Sequence, residues 1–165
     1  MSKILQWLVK RLVIFSWSKK LSVGNAILDS EHKNLIAKIN NIMRLIEARD
    51  SAALSDAFEL LENWLIIHFE NEEMFAQATN FDFTQHKLAH QRLLSELQHL
   101  RNELGAKNAA WSDSGAKLYY LFFHNWLIGH ITNEDMQMKP VLQSHPYDFM
   151  PAQRSIRDGQ IAVNQ

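Results

Sequence analysis

The sequence predicts an all-α protein: an up-down-up-down four-helix bundle with an N-terminal arm and a short irregular C-terminal tail. Three observations carry that expectation. Apolar residues recur at three- and four-residue steps in four long segments. Glycine and proline number only five and three in 165 residues, so little interrupts those segments. The connections between them are short, and a short connection reaches only an antiparallel neighbour.

The chain divides into an N-terminal extension at 1–14, the bundle at 15–144 and a tail at 145–165. Ile4, Leu5, Trp7, Leu8, Val9, Leu12, Val13 and Ile14 crowd the extension. Ser2, Lys3, Gln6 and Lys10 would share one polar arc of a helix there. Such an amphipathic segment packs on its own bundle, on a neighbouring subunit or on a membrane surface. The arm continues to residue 27. Asp29 is the expected N-cap of the first helix, in which Leu28, His32, Leu35, Ile39, Ile42 and Ile46 are in phase. Asp50-Ser51 forms a turn and cap, and the second helix follows with Leu54, Phe58, Leu61, Leu65, His68, Glu72 and Phe75, closing at Thr79-Asn80. Thr84 is expected to cap the third helix, whose stripe is Phe83, His86, His90, Leu93, Leu97, Leu100 and Leu104, with Gly105 at its C-terminal cap. Asn108 to Ser112 reads as a loop. Asp113 or Ser114 opens the fourth helix, with Tyr119, Phe123, Trp126, His130 and Glu134 in phase and Pro140 limiting its far end.

The bulk composition excludes several classes. Net charge is −1 and the basic residues are scattered, so no basic stripe suggests nucleic acid. The absence of cysteine excludes disulfides and thiolate-held metals, leaving nitrogen and oxygen as donors. No run is long and apolar enough for a membrane span. A cytoplasmic location is expected, with membrane-surface or subunit contact through residues 1–14.

Metal-ligand residues stand inside all four apolar stripes: His32, then His68 with Glu72, then His86 with His90, then His130 with Asp135. A bare bundle would place Leu or Ile at such positions, because an unpartnered buried imidazole or carboxylate is costly. Residues four apart lie one helical turn above each other, so His68/Glu72 and His86/His90 each aim two donors at one place. A single such pair arises by chance, whereas one group per helix in this order does not. His99, His124 and His145 fall out of phase or in the tail and read as surface or contact residues, and Phe69 and Phe75 as core.

The wording of these segments resembles the hemerythrin family, in its single-domain bacterial form. The matching stretches are SVGNAILDSEHKNL around His32, HFENEEMF from His68, HKLAH from His86 and WLIGHITNED ending at Asp135, with Trp17 ahead of the bundle. The resemblance runs from about Phe15 to about Leu142. It implies a non-haem centre of two iron ions per chain. His86, His90 and His130 would hold one iron and His32 and His68 the other. Glu72 and Asp135 would bridge them beside an oxo or hydroxo group, with dioxygen taken up at the two-imidazole iron. Imidazole and carboxylate donors together suit iron. Related bundles use four Glu and two His; five imidazoles with two carboxylates make a less anionic site, which favours retained ferrous iron and reversible binding. Trp126, Leu127 and Ile131 flank His130 within a turn and are the expected apolar wall. The leading expectation is dioxygen carriage, storage or delivery. A sensor of oxygen, nitric oxide or iron redox state is the alternative. An enzyme such as a peroxidase or oxidase ranks below both, since no further acid–base constellation is visible.

Asp135 is where spacing and resemblance diverge. Five residues beyond His130 is a rotation of about 140° on an ideal helix. Glu134 is the residue in phase. Asp135 can reach the same place only if the helix is irregular there, as in a π-type turn eased by Gly129.

Overall fold

The structure is a computed structural model and describes residues 15–106 and 113–151. The expectations for 1–14, for the loop at 108–112 and for 152–165 lie outside the described residues. Four long helices are present: α1 (Ala26–Ala48), α2 (Ser51–Ala78), α3 (Thr84–Ala106) and α4 (Asp113–Asn133). A 3₁₀ turn over Lys19–Leu21 precedes them; a second over Asp135–Met138 and the short α5 (Lys139–Leu142) follow. No strand occurs among the described residues, and the chain is the four-helix bundle the periodicity predicts. No helix among them is long and apolar enough to cross a membrane.

α1 packs on α2 and α4, and α2 packs on α3. α3 and α4 approach less closely, and a groove of about 390 Å³ lies between them, lined by Leu93, Phe122, Trp126, His130 and Glu134 among others. The core is in two parts. Above, Ile39, Ile42, Leu61, Leu65, Leu97, Phe123, Leu127 and Ile131 form the larger cluster. Below, Leu28, Phe75, Ala76, Met138 and Leu142 form a smaller one with Val23. The polar stripe residues fall between the two: His32 lies between Leu28 and Leu35, and Glu72 between Phe69 and Phe75.

The helix ends correct several expectations. α1 starts earlier than Asp29. Its N-cap is Asn25, whose side chain accepts from the backbone N–H groups of Ile27 and Leu28 at 3.0 and 3.2 Å. Asp29 is fully buried in the first turn. It accepts from Val23 N–H at 2.9 Å, Ser22 Oγ at 2.6 Å and Tyr147 Oη at 2.9 Å. Gly24 carries φ +88° just before the cap, a left-handed conformation that favours glycine; an added Cβ would also displace the exposed Gln143 side chain, whose Cγ lies 2.8 Å away. Asp50 caps α2 through Ala53 N–H, and α2 closes at Thr79-Asn80. For α3 the capping acceptor is Asp82, bonded to Thr84 N–H at 3.0 Å; Thr84 is already inside the helix, as is Gly105.

Pro140 does not limit α4. The helix stops at Asn133, and Pro140 stands in the first turn of α5 instead. Glu134 stays in the right-handed helical region but distorted, at φ −108°, ψ −62°, and its N–H still bonds His130 O at 2.8 Å. The chain tightens into a 3₁₀ turn there rather than widening into a π turn. Gly129 takes no part: it sits in regular helix, and an added Cβ would meet only Asn133 Nδ2 at 3.9 Å.

Both flanks of the bundle are tied to α1. Asn40, buried on α1, pairs with both backbone groups of Phe15, accepting at 2.8 Å and donating at 2.9 Å, and the Phe15 ring stacks on Tyr120. On the other side Ala26 N–H bonds Tyr147 O at 2.7 Å and Asn25 Nδ2 donates to Phe149 O at 2.8 Å. The first tail residues are therefore irregular but docked on the start of α1.

Candidate metal centre

The four stripes bring His32, His68, Glu72, His86, His90, His130 and Asp135 into one buried layer, none more than 8 % exposed. All five imidazoles face inward through Nε2. Glu72 divides its oxygens: Oε1 is 3.6 Å from His32 and 3.5 Å from His68, while Oε2 is 3.0 Å from His90 and 3.7 Å from His86. Asp135 divides its own the same way. Oδ2 is 3.1 Å from His32, and Oδ1 is 3.1 Å from His86 and 2.9 Å from His130. Two donor groups result, one of Glu72, His86, His90, His130 and Asp135, the other of His32, His68 and Glu72. Asp135 also touches the second group through Oδ2. Glu134 stays half-buried at the groove between α3 and α4. The helix break after Asn133 is what carries Asp135 inward.

The electrostatics are those of a site built around positive charge. Burial raises the Glu72 carboxyl, and Asp135 adds to the rise, yet the imidazoles around it prevail and hold it well below the ordinary carboxylate range. Asp135 is held down in the same way, mostly by His130, against burial. Burial pulls His32 down, but Asp135 and Glu72 outweigh it and raise it to about 10. His130 is likewise raised by Asp135 against burial, while burial prevails at His90 and lowers it.

A metal fits this donor set. Nε2 of His32, His68 and His86 and all four carboxylate oxygens of Glu72 and Asp135 are buried without a hydrogen-bond partner. Nε2 of His90 and His130 face each other at 3.0 Å. With metal–nitrogen bonds of about 2.1 Å, adjacent donors on one ion stand about 3 Å apart. Groups that would be orphaned in an apolar core are thus spaced as ligands.

The rings around the layer fix the imidazoles. Phe69 stacks on His90 at 3.6 Å and Phe83 packs on His86 at 4.4 Å; Trp64 stacks on His68 at 5.0 Å. Phe69 is therefore more than core filling. Trp126, Leu127 and Ile131 are buried above the layer, with Trp126 Nε1 donating to Leu93 O at 3.1 Å. His99 and His124 are exposed and His145 is half-buried against Phe149. None of the three joins the layer. Sequence reasoning missed Glu31, whose Oε2 accepts from Nδ1 of His68 at 2.7 Å, and Asn71, which donates to its other oxygen at 2.6 Å. It also missed the role of Trp64. Glu31 directly precedes a ligand candidate in sequence, a signal that could have found it.

A four-helix bundle enclosing a shared imidazole and carboxylate layer defines a bundle-held metal protein. The Hemerythrin HHE cation binding domain profile matches residues 23–142. The chain belongs to the hemerythrin family. It is 32 % identical over 129 residues to a hemerythrin-like protein of Naegleria gruberi, covering 78 % of this chain and 93 % of that one. It is 27 % identical over 120 residues to a bacteriohemerythrin of Pseudomonas aeruginosa (strain UCBPP-PA14), covering 72 % and 75 %. A crystal structure of wild-type hemerythrin superposes with a TM-score of 0.66 at 21 % identity, over 79 % of this chain and 99 % of that chain, a likeness of fold. The hemerythrin domain implies non-haem iron, and the buried layer fits a metal site.

Proposed function

We propose that this chain binds dioxygen reversibly at a centre of two iron ions, for oxygen carriage, storage or delivery. One observation supports it above the rest: Glu72 and Asp135 each turn one oxygen toward each side of the layer. A carboxylate serving one ion has no reason to divide in this way. On this reading His86, His90 and His130 would hold one iron and His32 and His68 the other, with Glu72 and Asp135 offering an oxygen to each. The side with two imidazoles offers one protein donor fewer, which is where dioxygen would be taken up. When bound, the iron pair supplies the electrons that dioxygen uptake borrows and its release returns. The protein's part is to hold the donors with every Nε2 aimed into the layer and to exclude water with Trp126, Leu127 and Ile131.

Binding rather than turnover is favoured because Glu31, the carboxylate next to the layer, is already engaged by His68 and Asn71. It is not aimed at a substrate. A sensor would use the same centre and differ only in its partner. The deciding experiment is iron analysis with an optical spectrum of the reduced protein. The expected result is two irons per chain and a charge-transfer band that appears in air and disappears on degassing. One iron or fewer, or a band that does not reverse, rejects the proposal. Residues 1–14 are the proposed contact to a membrane surface or another subunit. Deleting them should change liposome flotation or particle size and leave oxygen binding intact.

A further inference from the structure

We infer that Glu31 is a positioning residue that sets the donor strength of His68 and favours the oxidised state of an ion held on the two-imidazole side of the centre. The inference rests on the di-iron reading above.

Glu31 reaches His68 across the α1–α2 interface, and both of its oxygens are used: Oε2 by His68 Nδ1 at 2.7 Å, Oε1 by Asn71 Nδ2 at 2.6 Å. Asn71 therefore fixes the aim of the carboxylate. Trp64, four residues before His68, stacks on the same ring at 19°. The imidazole is thus held at its outer edge and on one face. A proton held at Nδ1 by Glu31 leaves the Nε2 lone pair directed at the layer, where Glu72 Oε1 stands 3.5 Å away.

His32 and His86 lack this support. Their Nδ1 atoms are buried with no hydrogen-bond partner. An anionic acceptor on the outer nitrogen increases the basicity of the inner one and strengthens its hold on a metal. That charge enters through His68, which belongs to the smaller donor group. The two sides of the centre therefore differ in outer-nitrogen charge as well as in imidazole count. More donation through His68 would favour the oxidised state of an ion held on that side.

The full chain and its Glu31→Gln variant are compared in two measurements. In the metal-free protein, nitrogen-15 shifts of His68 should report the Nδ1-protonated tautomer in the wild type and its loss in the variant. In the iron-loaded protein, Glu31→Gln should keep the wild-type iron count. It should also raise the midpoint potential, slow air oxidation of the reduced form and weaken metal retention by about 10- to 100-fold. Asn71→Ala, which frees the carboxylate without removing it, should shift the same quantities less, and it replaces Glu31→Gln if that variant does not fold. An unchanged tautomer and an unchanged potential overturn the inference. A wild-type chain holding fewer than two irons overturns the di-iron reading instead, and the His68 tautomer then decides the role of Glu31 alone.

Discussion

Asp135 approaches His130 to 2.9 Å although a regular helix would turn it away, because α4 ends two residues before it. The break converts an out-of-phase residue into the counter-charge for His130, His86 and His32 at once. Asp135→Ala should therefore lower the iron content from two per chain to one or fewer. Glu134→Ala should leave it at two, since Glu134 faces the groove. Iron analysis of both variants checks this; equal losses would mean that the break itself, not Asp135, matters.

Ile131 is fully buried directly after His130. Ile131→Ala should cost about 2–5 kcal/mol in chemical denaturation, the usual range for such a cavity. It should also hasten oxidation of the reduced protein by admitting water. A variant with the stability loss but an unchanged oxidation rate would remove Ile131 from the wall.

The metal-free bundle should weaken toward alkali. His32 is raised from 6.5 to about 10, so its stabilising contribution is complete below pH 6.5 and is lost as pH rises through about 10. His130, also raised, has the same sign. Glu72 and Asp135 are lowered, so theirs is complete above pH 4.5 and is lost as acid reaches their folded values. His90, lowered by burial, adds to the acid loss. Metal binding needs neutral imidazoles and releases protons. The stability gap between loaded and metal-free protein should widen from pH 6 to pH 9, as urea titrations would show. A constant gap would contradict it.

Asp29 and Tyr147 test the docking of the tail. Tyr147→Phe removes one hydrogen bond from a half-exposed ring and should cost about 1 kcal/mol. Asp29→Ala removes the acceptor for three donors in the core and should cost several-fold more. Similar losses from both, by calorimetry, would show that Tyr147 carries the site.

Asn40→Ala should release the arm. Its side chain makes both hydrogen bonds to Phe15, and without them limited proteolysis ahead of residue 15 should accelerate while α1 stays intact. An unchanged cleavage rate would assign the anchoring to the Phe15–Tyr120 stack instead.

The long helices were legible because their burial repeats every three or four residues, and the donor layer because it interrupts that repeat with the wrong chemistry. What escaped is set by contacts distant in sequence. Asp29 looks like a cap until Tyr147 arrives from 118 residues away. Glu31 and His68 are 37 residues apart, and no periodicity joins them. Spacing alone chose Glu134 over Asp135 because it assumes an unbroken helix. Phe69 carries the same apolar pattern whether it fills space or stacks on His90.

The wide seam between α3 and α4 gives iron supply a mechanical meaning. His90 and His130 stand on opposite sides of it, facing each other at 3.0 Å, and an ion shared between them would act as a rivet across the groove. A ligand at a hundred times its dissociation constant adds about 2.7 kcal/mol to the folded state. Amide exchange in α4 would then serve as a gauge of iron sufficiency, slow in a replete cell and fast in a starved one.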